Sequence, residues 1–123
     1  MGSEEVTAEL ALNQEQQMTG LMFRTNMAEN DGMLFVFPAP FQASFWMKNC
    51  PLPLSAAYID PNGRIDEIVA LHAQDTNAVV AHTPDIQYVL EMNEGWFKRH
   101  NITEGMLIKT ERGTLRETFF GGR

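Results

Sequence analysis

The residues best equipped for chemistry stand singly inside apolar runs. Phe45-Trp-Met-Lys-Asn-Cys50 sets an ammonium, an amide and the chain's one thiol directly behind three bulky apolar side chains. Pro51 and Pro53 follow and stiffen the exit, which suits fixed placement of polar groups. Further on, Tyr88-Val-Leu-Glu-Met92 embeds a carboxylate in an apolar stretch, with Trp96 just beyond it. Together with Arg24 these make one candidate constellation: Arg24, Trp46, Lys48, Asn49, Glu91 and Trp96. Cationic and amide donors beside aromatic walls suit an anionic or carbonyl-bearing small ligand. In extended chain Trp46 and Lys48 share one face, and Val89 and Glu91 share another, so neighbouring strands can open Lys48 and Glu91 into one recess. The competing reading is a structural network in which Arg24 or Lys48 neutralises Glu91, because burying any of them alone costs several kcal/mol. A third reading is acid–base chemistry by Lys48 or Glu91 after burial shifts a pKa.

Other chemistries are less well supplied. Cys50 with His72 or His82, oriented by Asp75 or Asp85, would make a thiol nucleophile, but no spacing demands that arrangement. The same thiol reads equally as a small buried residue. The three histidines, His72, His82 and His100, lack the spacing that sets two ligands on one helix face. Met18 and Met22 stand four apart, a soft-metal pattern that core packing explains better. No metal and no cofactor are therefore expected. The adjacent carboxylates Glu4-Glu5 and Asp66-Glu67 should face opposite sides of a strand and act only as solvated charge. Glycine-rich phosphate loops and Gly-x-Ser-x-Gly elbows are absent from the sequence.

The elements that must position these groups are mostly strands. Val6 to Leu12 alternates with a period of two. Asn13 can cap a short helix, with Gln16 placed to reach back. Met33-Leu-Phe-Val-Phe37 is apolar throughout, as a strand covered on both faces would be, and Pro38 and Pro40 should end it. Strands are expected at 44–48 and 54–59, then a turn at Asp60-Pro-Asn-Gly63. A strand with a bulge near Asp66-Glu67 follows. Residues 72–87 show only the apolar run Ala78-Val-Val80. Residues 88–92 read as strand, Asn93 as the cap of a helix bearing Trp96 and Phe97, and Asn101 as its left-handed end. Residues 106–109 read as a last core strand. Many short strands and two short helices point to a mainly β fold, an antiparallel β-sandwich or jelly-roll-like barrel.

Composition bounds the partners. The chain of 123 residues is 44% hydrophobic and holds enough apolar surface for one packed core. Its net charge of −7 disfavours nucleic acid, which demands a cationic excess. Residues 1–97 hold three Lys/Arg against thirteen Asp/Glu, whereas residues 98–123 hold six against three. That basic end, with Phe119 and Phe120, reads as a frayed terminus in preference to a segment docked on the acidic body. One cysteine precludes an internal disulfide. No apolar run reaches the roughly 20 residues of a transmembrane helix.

Gly20-Leu-Met-Phe-Arg24, Gly32-Met-Leu-Phe-Val-Phe37 and Phe45-Trp-Met-Lys-Asn49 with Pro53-Leu54 resemble the domain of unknown function 192 family. Tyr88-Val-Leu-Glu91 and Gly95-Trp96 extend the resemblance over roughly residues 6–109. It implies a compact jelly-roll-type β-sandwich of a bacterial and archaeal kind that often carries an export signal. A periplasmic or extracellular location with its leader removed is the corresponding expectation, with the cytoplasm as the alternative. The resemblance brings no activity. Thr19 stands where an arginine is usual, Cys50 where a threonine is usual, and Ser55 where an aspartate is usual. These departures weaken any charged site shared with relatives, and the one at Cys50 argues against shared catalysis through the thiol.

The leading expectation is a non-enzymatic domain over 6–110 that binds a small polar or anionic ligand, or a partner's backbone, at the sandwich rim. Residues 1–5 are then a cloning or leader remnant and 111–123 a basic tail. The alternatives are an enzyme of unassigned reaction using Lys48 and Glu91, or an interaction module using sheet edges or the Phe119-Phe120 tail.

Overall fold

The structure, a computed structural model, describes residues 5–121. Its elements begin β1 (Thr7–Ala11), α1 (Gln14–Thr19), β2 (Asp31–Phe41), β3 (Ser44–Phe45), β4 (Leu54–Ile59) and β5 (Ile65–Leu71). They continue β6 (Val79–Val80), β7 (Ile86–Asn93), α2 (Trp96–Arg99), β8 (Lys109–Thr110), β9 (Gly113–Thr114) and α3 (Leu115–Phe120). Five strands make the central sheet in the order β1-β2-β7-β4-β5, while β3-β6 and β8-β9 form two small ribbons. The expected mainly β, sandwich-like fold is what forms. Its one parallel pairing is β1 with β2, and the rest of the sheet is antiparallel. Met1-Gly2-Ser3 and Glu4 lie outside the described residues. No helix among the described residues is long and apolar enough to cross a membrane.

Strand alternation divides the apolar residues between two cores, one on each face of the sheet. Phe35, Leu54, Ala56, Tyr58 and Val89 face the layer made by β3, β6 and the segment that runs through Met47 and Cys50. Leu34, Val36, Ala57, Leu90 and Met92 face α2, α3 and Ile102–Ile108. Gly32 lets β2 approach β7 closely: a methyl group there would lie 2.4 Å from both the Glu91 carbonyl and the Met92 sulfur.

Local chemistry sets most boundaries. The Asn13 side chain accepts from the Gln16 amide at 2.8 Å, and the Gln16 side chain reaches back to accept from Leu12 N–H at 2.9 Å. The β4–β5 register slips between Tyr58 and Ile59, which bulges the chain at Asp66 as its sequence suggests. Asn101 adopts φ 58° at the end of α2. Several expectations fail, the strand at 106–109 among them: Leu107 makes one isolated bridge to Arg64, and regular pairing begins only at Lys109. Pro38 and Pro40 do not end β2, which runs to Phe41; β1 reaches only as far as Phe35, and the β7 ladder slips between Val36 and Phe41, so neither proline faces a bond it cannot make. Asn93 does not cap α2. It ends β7 and donates its amide to the carbonyls of Met27 and Ala28, while Gly95, at φ 77°, precedes the helix.

The C-terminal segment is docked, not frayed, through residue 120. Thr114 and Glu117 close a reciprocal capping box, with bonds of 3.0 and 2.9 Å, that starts α3. Leu115 is fully buried in the second core, and the Phe120 ring lies 6.4 Å from that of Tyr88. Leu115→Ala is expected to lower unfolding free energy by about 2–4 kcal/mol. Urea titration checks this, and an unchanged midpoint would mean that the helix contributes nothing to the core.

Candidate functional site

The first face of the sheet carries a cavity of about 270 Å³. Its floor is built from β2, β4 and β7, its walls from α1 and Gly20 to Met22, and its rim from Phe41 and residues 44–48. Phe35, Phe37 and Phe45 form a continuous aromatic wall, with Phe35 and Phe45 edge to face at 4.9 Å. Across the sheet Glu91 sits between Met33 and Ala56, and the short Ala56 side chain leaves room beside it.

Glu91 is the exception on this floor. Alternation along β7 forces it to the same face as Val89, so the chain buries a carboxyl group among phenyl, thiol and aliphatic side chains. It is 4% exposed, and no described residue hydrogen-bonds its side chain. Loss of hydration pushes its pKa up to about 8, so near pH 7 it is chiefly a neutral acid, able both to donate and to accept. Beside it, burial also raises the Cys50 thiol, whose Sγ–H points to the carbonyls of Leu21 and Leu52 at 3.5 Å. The Tyr58 phenol donates to the Val79 carbonyl at 2.6 Å, and burial likewise keeps it protonated.

Lys48 enters the same cavity from the rim. Beyond β3 the chain leaves the regular strand expected to continue to residue 48 and is pinned by Met47 N–H to the Asp75 carbonyl at 2.7 Å. A turn at Lys48-Asn49 follows, closed by Cys50 N–H to the Met47 carbonyl at 3.0 Å. The Lys48 ammonium lies 5.5 Å from the centre of the Trp46 ring and has no carboxylate within ion-pair distance among the described residues. Trp46 is half exposed and Met18 is 70% exposed, so a core-packing role for Met18 does not hold; both stand on the cavity's lip.

The six residues singled out by sequence thus divide. Trp46, Lys48 and Glu91 line one cavity; Arg24, Asn49 and Trp96 do not. Arg24 makes a two-pronged pair with Glu9 at 2.6 and 2.7 Å, beside a separate hollow bounded by Thr7, Met27 and Gly32. That pair is partly exposed, so Arg24→Met is expected to cost no more than about 1 kcal/mol by chemical denaturation, and a larger loss would show that the pair is a structural anchor. Asn49 serves the turn through its φ of 60°, and its carbonyl accepts from Phe23 N–H at 2.7 Å. Trp96 is wholly buried on the opposite face, donates to the Asn30 side chain at 3.1 Å and stacks on His100. Neither Arg24 nor Lys48 neutralises Glu91.

Among the described residues the Cys50 thiol bonds to the carbonyls of Leu21 and Leu52 and to no imidazole. His82 instead lies between Asp66 and Glu67, its ring nitrogens 3.1 and 3.0 Å from their carboxylates. One donor atom from each of the three falls within 4.8 Å of the others, a set able to contact a cation. The expectation that Asp66 and Glu67 face opposite ways fails because the bulge turns both toward one side. Sequence reasoning also missed the phenylalanine wall, for which the dense Phe35-Val-Phe37 and Phe41 to Phe45 spacing was the available signal.

Two solved structures resemble the chain closely. One is a "putative transcription regulator" from Sinorhizobium meliloti 1021, 36% identical, with a TM-score of 0.78 over 81% of this chain and 78% of that one. The other is a protein of unknown function from Novosphingobium aromaticivorans DSM 12444, 33% identical, with a TM-score of 0.76 over 80% of this chain and 70% of that one. No curated protein is significantly similar to the chain. The model of the DUF192 family, described as an uncharacterized ACR, matches residues 1–110 and stops before α3. With its motifs, its fold and that match in agreement, the chain belongs to the DUF192 family.

Proposed function

We propose that this domain binds a small organic molecule in the cavity between Glu91 and Lys48, without transforming it. The supporting observation is Glu91: a carboxyl group 4% exposed, without a hydrogen-bond partner among the described residues, on the floor of a cavity with an aromatic wall. The carboxyl group faces the cavity, where an occupant can hydrogen-bond to it in place of water. Lys48 at the lip, its ammonium over the Trp46 ring and without a carboxylate partner among the described residues, supplies a cation suited to an anionic or carbonyl group. A volume of about 270 Å³ lies just under the roughly 300–1,000 Å³ of small-ligand sites and fits only a compact molecule.

Ligand-observed NMR with a library of small polar and aromatic compounds tests this reading. Hits that lose affinity in both Glu91→Gln and Lys48→Met, with melting temperatures near or above that of the parent, are the expected result. A library without hits, or hits indifferent to both substitutions, would overturn it. The alternative, acid–base catalysis by Glu91, draws on its raised pKa, since a carboxyl group titrating near 8 can hold or release a proton at working pH. The Sinorhizobium structure is described as a transcription regulator; for this chain, direct recognition of nucleic acid finds little support in a net charge of −7.

A further inference from the structure

Resting on that reading of the cavity, we infer that its ligand is a small zwitterion of the amino-acid class, bound amine inward against Glu91 and carboxylate outward against Lys48. The polarity of the site carries this. Among the described residues, a carboxyl group without a hydrogen-bond partner sits at the floor and an ammonium without a carboxylate sits at the lip, both lining one cavity. A molecule that answers both must present a donor inside and an anion outside. The walls bear on the choice of inward donor: phenyl rings line the cavity, and an organic cation that meets a ring face gains an attraction that a neutral hydroxyl or amide does not. A lone carboxylate would meet Lys48 but leave Glu91 unanswered, and a lone amine would do the reverse.

Proton traffic follows from the chemistry. Empty, the cavity holds Glu91 chiefly as the neutral acid, because desolvation penalises its charge. An ammonium placed against it favours the carboxylate, so the Glu91 proton leaves to solvent as the ligand enters. The neighbouring titratable groups do not substitute for it. Cys50 and Tyr58 have pKa values raised by burial and stay protonated, and Glu9, two strands away on β1, is already paired with Arg24. Lys48 contributes its charge from the lip.

Titration calorimetry of the full chain at pH 6.5, repeated in buffers of different ionisation enthalpy, tests the inference. The probes are phenylalanine, 4-aminobutanoate and 6-aminohexanoate, against hexylamine and hexanoate. At least one amino-carboxylate is expected to bind about tenfold or more tightly than either single-charge control, a difference set by two polar contacts instead of one. Binding should release close to one proton. Glu91→Gln should abolish that release and weaken binding about tenfold, while Lys48→Met should weaken binding and keep the release. Hexanoate binding as tightly as 6-aminohexanoate, release undiminished in Glu91→Gln, proton uptake, or no binding by any amino-carboxylate would each overturn the zwitterion. In those cases hits elsewhere in the small-molecule library, sensitive to the same two substitutions, would leave the binding function standing; an empty library would remove both.

Discussion

Glu91→Gln should make the protein more stable at pH 8 and strip away most of its loss of stability between pH 5 and 8. The sign follows from proton counting. Glu91 has a folded-state pKa of about 8, against an ordinary carboxyl value near 4.5 in the unfolded chain. Between those values the folded state binds more protons than the unfolded one, so unfolding free energy falls as pH rises. The favourable contribution is complete below about pH 4.5 and is lost as pH climbs through 8. A gap of that size corresponds to about 4–5 kcal/mol at its limit. That is a large share of the roughly 5–15 kcal/mol by which domains are stable. Glutamine keeps the shape and the hydrogen-bonding capacity and has no charge to bury. Chemical denaturation of parent and variant from pH 5 to 9 gives the answer: two curves that run parallel would mean that Glu91 is solvated and that the cavity floor is misread.

Trp96→Ala should be the most damaging single substitution on the other face, at about 3–5 kcal/mol. Trp96 is fully buried, edge to face with Phe97 at 5.3 Å, stacked on His100 at 4.3 Å and bonded to Asn30. Alanine empties that volume and removes the bond to Asn30. The side chain lies across the sheet from Glu91, so the milder Trp96→Phe should lower the denaturation midpoint while leaving ligand affinity within about twofold, the range expected of uncoupled positions. Affinity lost in step with stability would return Trp96 to the binding site.

These two residues also mark where sequence reasoning succeeds and where it stops. The fate of Glu91 was legible because a strand has a fixed period: alternation from Val89 dictates its face, whatever the rest of the fold does. Lys48 was legible for a different reason, since Pro51 and Pro53 restrict the exit of its segment. The strand expected through residue 48 gives way to a turn, yet the turn leaves Lys48 on the lip. Trp96 was not legible. It stands five residues beyond Glu91, but the left-handed Gly95 turns the chain between them, and Trp96 ends on the far face. Arg24 was lost to Glu9 through the parallel β1–β2 pairing, a long-range choice that no local pattern encodes. The docking of α3 escaped for a similar reason. Its capping box was visible as Thr114-x-x-Glu117, but basic character and terminal position argued for fraying.

Gly32 carries a consequence for the chemistry of the floor. The strand bearing Glu91 keeps its depth because the residue opposite its neighbour has only hydrogen where a methyl would strike backbone. A hydrogen atom thus sets how far the acid stands from water. Any bulk introduced there would prise the two central strands apart, admit solvent beneath the carboxyl, and return it toward the acidity it shows in free peptide.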